Sequence, residues 1–394
     1  MRVAMVTREW PPDIYGGAGV HIANLVEHLR ELAEVDVHCF GGPRTDATAQ
    51  SVPSYLEGAN PALQTLGVDV GIAASISSEA DIVHSHTWYA NLAGHITSLL
   101  HGVPHVLTGH SLEPHRPWKR EQLQGGYEVS SWVERTSYRD CDAVIAVSHG
   151  MRTDILDAYP EVDPTKVHVV HNGINTQTYS PDSSTAALEK HGISTDEPYA
   201  IFVGRITRQK GLVHLLRAAR SFDPSINLVL CASSPDTPEI AEETARAIEI
   251  LRTERREGSV TWIEEQVDRS SLIQLLTHAL VFTCPSIYEP LGIVNLEAMA
   301  CETAVVASSV GGIPEVVENG VTGTLVSYDP DDPAAFETAF ASAVNDLVSD
   351  PSKAADFGRR GRERAVEHFG WDAIAEQTMN VYRWAIANQG RYRG

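Results

Sequence analysis

The chain has 394 residues, of which 52 are acidic and 30 basic, and its formal net charge is −22. Such an excess of negative charge speaks against a nucleic-acid partner or an anionic membrane surface, and it requires local cations wherever a phosphate binds. The length favours two domains, and five scattered cysteines without a Cys-x-x-Cys pair are typical of a reducing cytoplasm, where we expect the protein to work.

The first half of the chain alternates apolar runs with helical patterns. It opens on an apolar run too short for a signal peptide, and no stretch reaches the roughly 18 apolar residues of a membrane span. Strands are predicted at 2–8, 35–40, 82–86, 105–108, 143–147 and 167–170. Helices are predicted at 20–32, 91–101, 130–138 and 149–159, and a polar loop at 41–54. This alternation predicts a parallel sheet with helices on both faces.

A polar stretch at 175–197 interrupts this rhythm, and we interpret it as the start of a second domain after a first domain of residues 1–174. Further strands are predicted at 199–203, 227–230, 260–263, 280–284, 304–308 and 323–326, with helices between them. The second domain extends to residue 371, and a last helix is predicted within 372–394. The sequence therefore predicts an α/β protein of two doubly wound parallel sheets, with ligands bound in a crevice at the carboxyl ends of their strands.

The segment SIYEPLGIVNLEAMA carries two carboxylates, Glu289 and Glu297, directly after an apolar strand. Pro290, Leu291 and Gly292 read as the turn into a helix, and a helix N-terminus favours phosphate. Because carboxylates would repel that phosphate, they are expected to accept hydrogen bonds from sugar hydroxyls. The segment thus predicts a sugar attached to a phosphate, with a glycosidase-like acid/base pair as the alternative.

A basic loop, GRITRQKG, follows the first strand of the second domain and contains Arg205 and Lys210. Arginine grips phosphate through two N–H groups and lysine supplies a point charge. The loop is not a P-loop, because no Gly-Lys-Ser/Thr occurs in it. A solvated basic loop is the alternative interpretation.

The glycine loop 16–19 follows the first strand of the chain. Gly16 and Gly17 would let the backbone approach a phosphate. A dinucleotide fingerprint would need a third glycine where Ile22 stands, so nicotinamide binding is not supported. The alternative is an ordinary turn between strand and helix.

Histidines stand at the ends of two strands of the first half. Metal binding by His84 and His86 is one interpretation, but the sequence presents no third ligand for them. Hydrogen-bonded structural histidines are the commoner reading, and we expect no metal. His110 is the candidate for sugar contact.

With these residues in place, the chain resembles the retaining glycosyltransferases of family 4, which have the two-domain GT-B architecture. The glycine loop, the basic loop and the glutamate pair occur in the order typical of that family, and the resemblance covers nearly the whole chain. Within the family, TREWPPDIYGGAGVH, HSHTW, TGHSLEPHRPWK and SIYEPLGIVNLEAMA are similar to the group of actinobacterial glycogen synthases and maltose-1-phosphate synthases.

The resemblance implies a role for each matched position. Arg205 and Lys210 would hold the donor diphosphate and neutralise the leaving group. Glu297 would accept hydrogen bonds from the ribose, and Glu289 would hold hydroxyls of the transferred glucose. His110 would contact the same glucose, with its backbone carbonyl near the anomeric carbon.

The resemblance also implies how the site is assembled. Gly17 and the amides of Leu291, Gly292 and Ile293 would line the phosphates and the sugar, and Asn172 would lie at the hinge side of the crevice. The last helix would pack on the first domain. Transfer would retain the anomeric configuration without a protein nucleophile, and no metal or other cofactor would be needed because Arg and Lys supply the positive charge.

The activity that the resemblance implies is transfer of glucose from ADP-glucose to glucose 1-phosphate, giving maltose 1-phosphate, or to the end of an α-1,4-glucan. Longer glycogen synthases carry a lysine in the N-terminal glycine loop, which this chain lacks. Arg116 and Lys119 are therefore candidates for holding the phosphate of a small acceptor. One alternative is a transferase that acts on an inositol phosphate or a lipid head group, and another is a nucleotide-sugar-binding protein without catalytic activity. The preference for ADP over UDP rests on the resemblance alone. The sequence does not decide whether the protein forms a homodimer.

Overall fold

A computed structural model gives the fold and describes residues 1–14, 16–116, 125–256 and 259–390. The chain divides into two compact units, Met1–Gly173 with Trp371–Gly394, and Ile174–Gly370. The first division falls one residue before the predicted start of the second domain, and the second falls one residue before the predicted last segment. Among the described residues, no helix combines the length and apolar character that crossing a lipid bilayer requires.

The first unit contains a seven-stranded sheet with the order β3-β2-β1-β4-β5-β6-β7, in which all pairs are parallel. Its strands are β1 (Arg2–Thr7), β2 (Glu34–Phe40), β3 (Thr48–Gln50), β4 (Ile82–His86), β5 (His105–Gly109), β6 (Ala143–Ala146) and β7 (Val167–Val169). Its helices up to the second unit are α1 (Gly17–Leu29), α2 (Pro61–Ser75), α3 (Trp88–His101), α4 (Gly126–Asp140) and α5 (His149–Ala158). The strand order reverses between β1 and β4, and ligands of such sheets bind outside the carboxyl ends at this reversal.

The second unit contains a six-stranded parallel sheet with the order β10-β9-β8-β11-β12-β13. Its strands are β8 (Tyr199–Arg205), β9 (Asn227–Ser233), β10 (Val260–Ile263), β11 (Val281–Cys284), β12 (Ala304–Ser308) and β13 (Gly323–Val326). Its helices are α6 (Ala186–Lys190), α7 (Leu212–Ala218), α8 (Pro238–Glu254), α9 (Arg269–Thr277), α10 (Ile293–Ala300), α11 (Ile313–Val316), α12 (Pro333–Ser349) and α13 (Pro351–His368). Here the reversal lies between β8 and β11. The prediction of two doubly wound parallel sheets is confirmed.

The last helix, α14 (Trp371–Ala387), belongs to the first unit and packs against α1. Its buried side chains, among them Trp371 and Tyr382, join the core that covers one face of the first sheet. Gly173 lies against the Trp371 ring so closely that a Cβ at this position would collide with it. The chain therefore needs glycine at the point where it leaves the first unit.

Two elements of the first unit were missed or misassigned. The helix α2 starts with a side-chain cap, since Asn60 accepts a hydrogen bond from the Ala62 N–H at 2.9 Å and Pro61 occupies the first helical position. These are start signals that the sequence carries, although no helix was predicted there. The strand β3 lies inside the predicted loop 41–54; three residues paired only with β2 carry too little pattern to be recognised.

Candidate active site

In the second unit, the basic loop after β8 and the segment after β11 meet at the reversal of strand order. The Ile287 N–H donates a hydrogen bond to the Gln209 carbonyl at 2.9 Å. Gly211 has a positive φ of 63°, and a Cβ at this position would collide with the Pro285 carbonyl. Only glycine satisfies both conditions, so two motifs distant in sequence are held as one surface.

Lys210 and Glu289 form an ion pair on this surface. The Lys210 Nζ donates to the Glu289 Oε2 at 2.6 Å, and the Ser286 Oγ donates to the same oxygen at 3.1 Å. Burial by itself would lower the pKa of Lys210, but the charge of Glu289, the hydrogen bond to it and the neighbouring acidic groups Cys284 and Glu297 together raise that pKa. The lysine is therefore protonated at neutral pH, as a partner for phosphate must be.

Arg205 is oriented by an acidic residue that sequence reasoning missed. Its guanidinium donates to the Asp236 Oδ1 at 2.8 Å, and the Arg205 side chain remains 39% exposed while Asp236 is almost buried. A guanidinium has five N–H groups, so this bond does not exhaust its donors. The arrangement presents an anchored cation at the carboxyl end of β8.

Glu297 lies on α10 and is nearly buried. Burial raises the pKa of its carboxyl to about 7, although a hydrogen bond from the Tyr179 hydroxyl and the charges of Arg269 and Lys210 act in the opposite direction. Tyr179 comes from the stretch that was predicted to be the domain boundary, so sequence gave no reason to connect it with Glu297.

The turn between the two glutamates contains a backbone conformation that favours glycine. Gly292 has a φ of 95° and precedes the first residue of α10, Ile293. Leu291 is buried, and the Glu289 carbonyl accepts a hydrogen bond from the Gly312 N–H at 2.9 Å. The turn and the first glutamate are thus fixed by the following loop.

Asn295, in the first turn of α10, is a buried residue that sequence reasoning missed. Neither atom of its side-chain amide has a hydrogen-bond partner among the residues that the structure describes. In the sequence, the signal that could have identified it was an amide in a helical segment that is otherwise apolar except for Glu297. A buried amide without a partner within the protein is suited to bind a ligand.

In the first unit, histidines from β4 and from the end of β5 form a hydrogen-bonded cluster. The His86 Nδ1 and the His110 Nε2 are 3.0 Å apart, and the His86 Nε2 is 3.0 Å from the Met5 sulfur. Because a thioether only accepts hydrogen bonds, His86 carries its proton on Nε2 and accepts through Nδ1 from the Nε2–H of His110. Each neutral ring thus has a defined tautomer.

Burial keeps these imidazoles neutral at physiological pH. It lowers the pKa of His110 to about 4 and that of His84 to about 3, and it lowers the pKa of His86 well below its usual range. His84 bonds through both nitrogens, to the Tyr382 hydroxyl and to the Thr108 hydroxyl, each at 2.7 Å. His84 is therefore a structural histidine, and half-buried His110 is the member that can meet a ligand.

The glycine loop surrounds a carboxylate that sequence reasoning missed. Glu9 follows β1, and its Oε2 accepts a hydrogen bond from the Gly16 N–H at 2.8 Å. A Cβ at Gly19 would also collide with the Glu9 side chain. Gly17 begins α1 directly beside this contact. The glycines thus permit close approach, and in this structure the approaching group is Glu9.

The remaining predicted residues of the first unit are Arg116, Asn172 and Lys119. Arg116 donates to the Oε1 of fully buried Glu113 at 2.5 Å. Asn172 is nearly buried, and its Oδ1 has no hydrogen-bond partner within the described ranges. Lys119 lies outside the described residues. The assignment of Arg116 and Lys119 to an acceptor phosphate stays a prediction.

Two family models together match most of the chain. The one described as "Glycosyltransferase Family 4" matches residues 15–178, and the one described as "Glycosyl transferases group 1" matches residues 183–364. The first match contains the glycine loop and His110, and the second contains the basic loop and the glutamate pair.

Two proteins that are more than half identical to this chain carry the same name. The alpha-maltose-1-phosphate synthase of Mycolicibacterium smegmatis is 56% identical over 97% of this chain and 99% of its own length. That of Mycobacterium tuberculosis is 54% identical over 98% of this chain and 100% of its own length. Among solved structures, HepE of Anabaena in complex with UDP-glucose has a TM-score of 0.78 at 20% identity and covers 98% of this chain and 100% of that one, a likeness of fold.

Proposed function

The chain belongs to glycosyltransferase family 4, and from this premise we propose that it transfers glucose from ADP-glucose to glucose 1-phosphate and so forms maltose 1-phosphate. The observation that carries the proposal is the 56% identity with an alpha-maltose-1-phosphate synthase along nearly the full length of both chains. The site residues of the second unit support it, because they combine two cations with two carboxylates at one sheet edge.

The proposed chemistry assigns the cations to the leaving group. As the bond between the anomeric carbon and the diphosphate oxygen breaks, negative charge develops on the departing phosphate. Protonated Lys210 and anchored Arg205 stabilise that charge, which is the largest contribution to such a transfer. Because these two side chains supply the positive charge, the reaction proceeds without a metal ion or another cofactor.

The carboxylates hold the sugars of the donor. Glu289 is oriented by Lys210 and Ser286 and accepts hydrogen bonds from hydroxyls of the transferred glucose. Glu297 accepts hydrogen bonds from the ribose. Neither acts as a nucleophile, and the acceptor oxygen enters on the face from which the diphosphate leaves, so that the anomeric configuration is retained.

The histidine of the first unit contributes a neutral contact. A His110 that stays uncharged down to about pH 5 can form a hydrogen bond with a glucose hydroxyl without attracting the diphosphate. In the described tautomer its Nδ1 carries the lone pair, so it accepts. This assigns His110 to sugar positioning.

The proposed place of work is the cytoplasm, since all five cysteines are buried free thiols. The acidic charge makes nucleic acid and anionic membranes unsuitable partners.

Product analysis tests the proposal. The purified protein is incubated in EDTA with ADP-glucose and either glucose 1-phosphate or glycogen, and the set is repeated with UDP-glucose. A phosphorylated disaccharide from ADP-glucose and glucose 1-phosphate is the expected product. Transfer to glycogen alone would replace the proposed acceptor with an α-glucan, and loss of all transfer in EDTA would contradict the metal-free mechanism. Donor hydrolysis without transfer would point to an inositol phosphate or lipid acceptor.

A further inference from the structure

Three histidines from separate parts of the first unit converge around one point. His21 comes from α1, His86 ends β4 and His110 follows β5. One ring nitrogen of each lies within 4.8 Å of those of the other two. His21 and His86 are buried, and His110 is half-buried. The sequence presented no third ligand beside the strand-end histidines, and the fold supplies it in His21.

The spacing of the rings matches a coordination site. With a Zn–N distance of about 2.0 Å and a ring radius of about 1.2 Å, tetrahedral angles would separate ring centroids by about 5.2 Å. The observed separations are 4.8 Å for His21 and His110, 5.3 Å for His86 and His110, and 5.8 Å for His21 and His86. Binding then needs small rotations of the rings about χ2, a soft torsion in histidine.

The nitrogens are in a state that suits a metal ion. The Nδ1 of His21 is buried and has no hydrogen-bond partner among the described residues. The His86 Nδ1 already presents its lone pair, because its Nε2–H is held by the Met5 sulfur at 3.0 Å, and such an outer contact fixes the ring of a metal ligand. The His110 Nε2 becomes a ligand when its proton moves to Nδ1, so no net proton is released.

We propose that His21, His86 and His110 bind a divalent transition-metal ion, for which Zn²⁺ is the natural choice. Three imidazoles suit Zn²⁺, Co²⁺ or Ni²⁺ and not the oxygen-seeking Mg²⁺. Three protein ligands leave the fourth position of a tetrahedral ion to water, and half-buried His110 provides the open side.

The ion inhibits the enzyme. It occupies the Nε2 of His110 and moves the proton to Nδ1, which turns the group facing a glucose hydroxyl from an acceptor into a donor. This consequence rests on the proposed function, whereas the metal site itself does not. The Zn²⁺ is therefore an inhibitory ligand and not a cofactor of the transfer.

The test is a Co²⁺ titration of the full chain without a histidine tag, after chelator treatment and in a phosphate-free buffer. We expect one equivalent of Co²⁺ to bind with the visible absorption of four-coordinate cobalt, and Zn²⁺ but not Mg²⁺ to displace it. His21→Gln and His86→Gln should each weaken binding by at least about a hundredfold. His368→Gln, which alters an exposed histidine of the second unit, is the matched control and should bind as the wild type does.

Two results would overturn the site: no stoichiometric Co²⁺ uptake by the wild type, or wild-type affinity in the folded His21→Gln protein. If that variant unfolds, the His86→Gln protein decides in the same way. Inhibition is measured separately, as loss of glucosyl transfer by the wild type with one equivalent of Zn²⁺ and resistance of His21→Gln. If no acceptor is glucosylated, the proposed function fails while the cobalt spectrum still decides the metal site.

Discussion

At the residue scale, Lys210 and Glu289 depend on each other. Each is largely withdrawn from solvent, and the 2.6 Å contact between them compensates two charges that would be costly to bury alone. Lys210→Ala and Glu289→Ala should each lower kcat/KM by more than about a hundredfold, because each removes a charged contact to the reacting group. Steady-state kinetics with a saturating acceptor measure this.

Arg208 supplies the control for this loop. It is an exposed cation two residues before Lys210, and Arg208→Ala should leave kcat/KM within about threefold of the wild type. Equal losses of kcat/KM in Lys210→Ala and Arg208→Ala would mean that the positive charge of the loop as a whole, and not the contact made by Lys210, supports the reaction.

The second residue-scale prediction concerns pH. Since the pKa of Glu297 is about 7, its carboxyl ionises across the neutral range, and a carboxylate accepts hydrogen bonds from ribose hydroxyls more strongly than the neutral acid does. The KM for the donor should fall as the pH rises from about 6 to about 8. Glu297→Gln should remove this dependence; a variant that keeps the wild-type profile would assign the titration to another group.

The free energy of unfolding should fall as the pH rises, whereas the affinity for the donor increases. A carboxyl whose pKa is raised by folding stabilises the protein fully below its unfolded pKa and loses that stabilisation as the pH rises through the folded value, here about 7. Ionised Glu297 thus favours donor binding at a cost in stability. Thermal unfolding of the wild type and Glu297→Gln across this range separates the two effects.

At the scale of elements, Gly211 joins the loop after β8 to the segment after β11. Gly211→Ala places a methyl group against the Pro285 carbonyl in addition to straining a φ of 63°. Gly192 is a matched control, since its φ is 66° and no atom lies near its virtual Cβ. Gly192→Ala should cost about 1 kcal/mol of unfolding free energy, and Gly211→Ala at least about 2 kcal/mol more.

Gly211→Ala should also impair catalysis. Moving the loop displaces Lys210 from Glu289, so Gly211→Ala should lower kcat/KM while Gly192→Ala does not. Denaturant unfolding and kinetics on both variants test the point, and equal stability of the two would refute the collision.

At the scale of the whole molecule, the chain forms two compact units with separate cores. Trp371 packs in the core of the first unit, so Trp371→Ala should lower the unfolding free energy of that unit by about 3–5 kcal/mol. Calorimetry should resolve this as a shift of one transition, with the transition of the second unit unchanged. Trp132→Ala is the control, because Trp132 is 56% exposed.

The family and many residues of the candidate site were readable from local patterns. Short apolar runs alternating with helical patterns predicted two parallel sheets. Parallel strands are buried on both faces, so their sequences contain few polar residues. The basic loop and the glutamate pair were recognisable because a motif at a strand end keeps its residues close in sequence. The helix α2 was missed although Asn60 and Pro61 mark its start. The strand β3 was missed because three residues are too few to show the alternation of polar and apolar side chains that identifies a strand.

The sequence by itself determined two parallel sheets with helices on both faces, the family and the residue types of the candidate site. Only the tertiary structure decided which side chains meet: Lys210 with Glu289, Glu9 with the glycine loop, and His21 with His86 and His110. The first and the last of these meetings depend on the strand order, which sets β1 beside β4 and β8 beside β11. Glu9 meets the glycine loop within one connection, after β1. Strand order results from the packing of all helices on both faces of a sheet, so no local pattern encodes it.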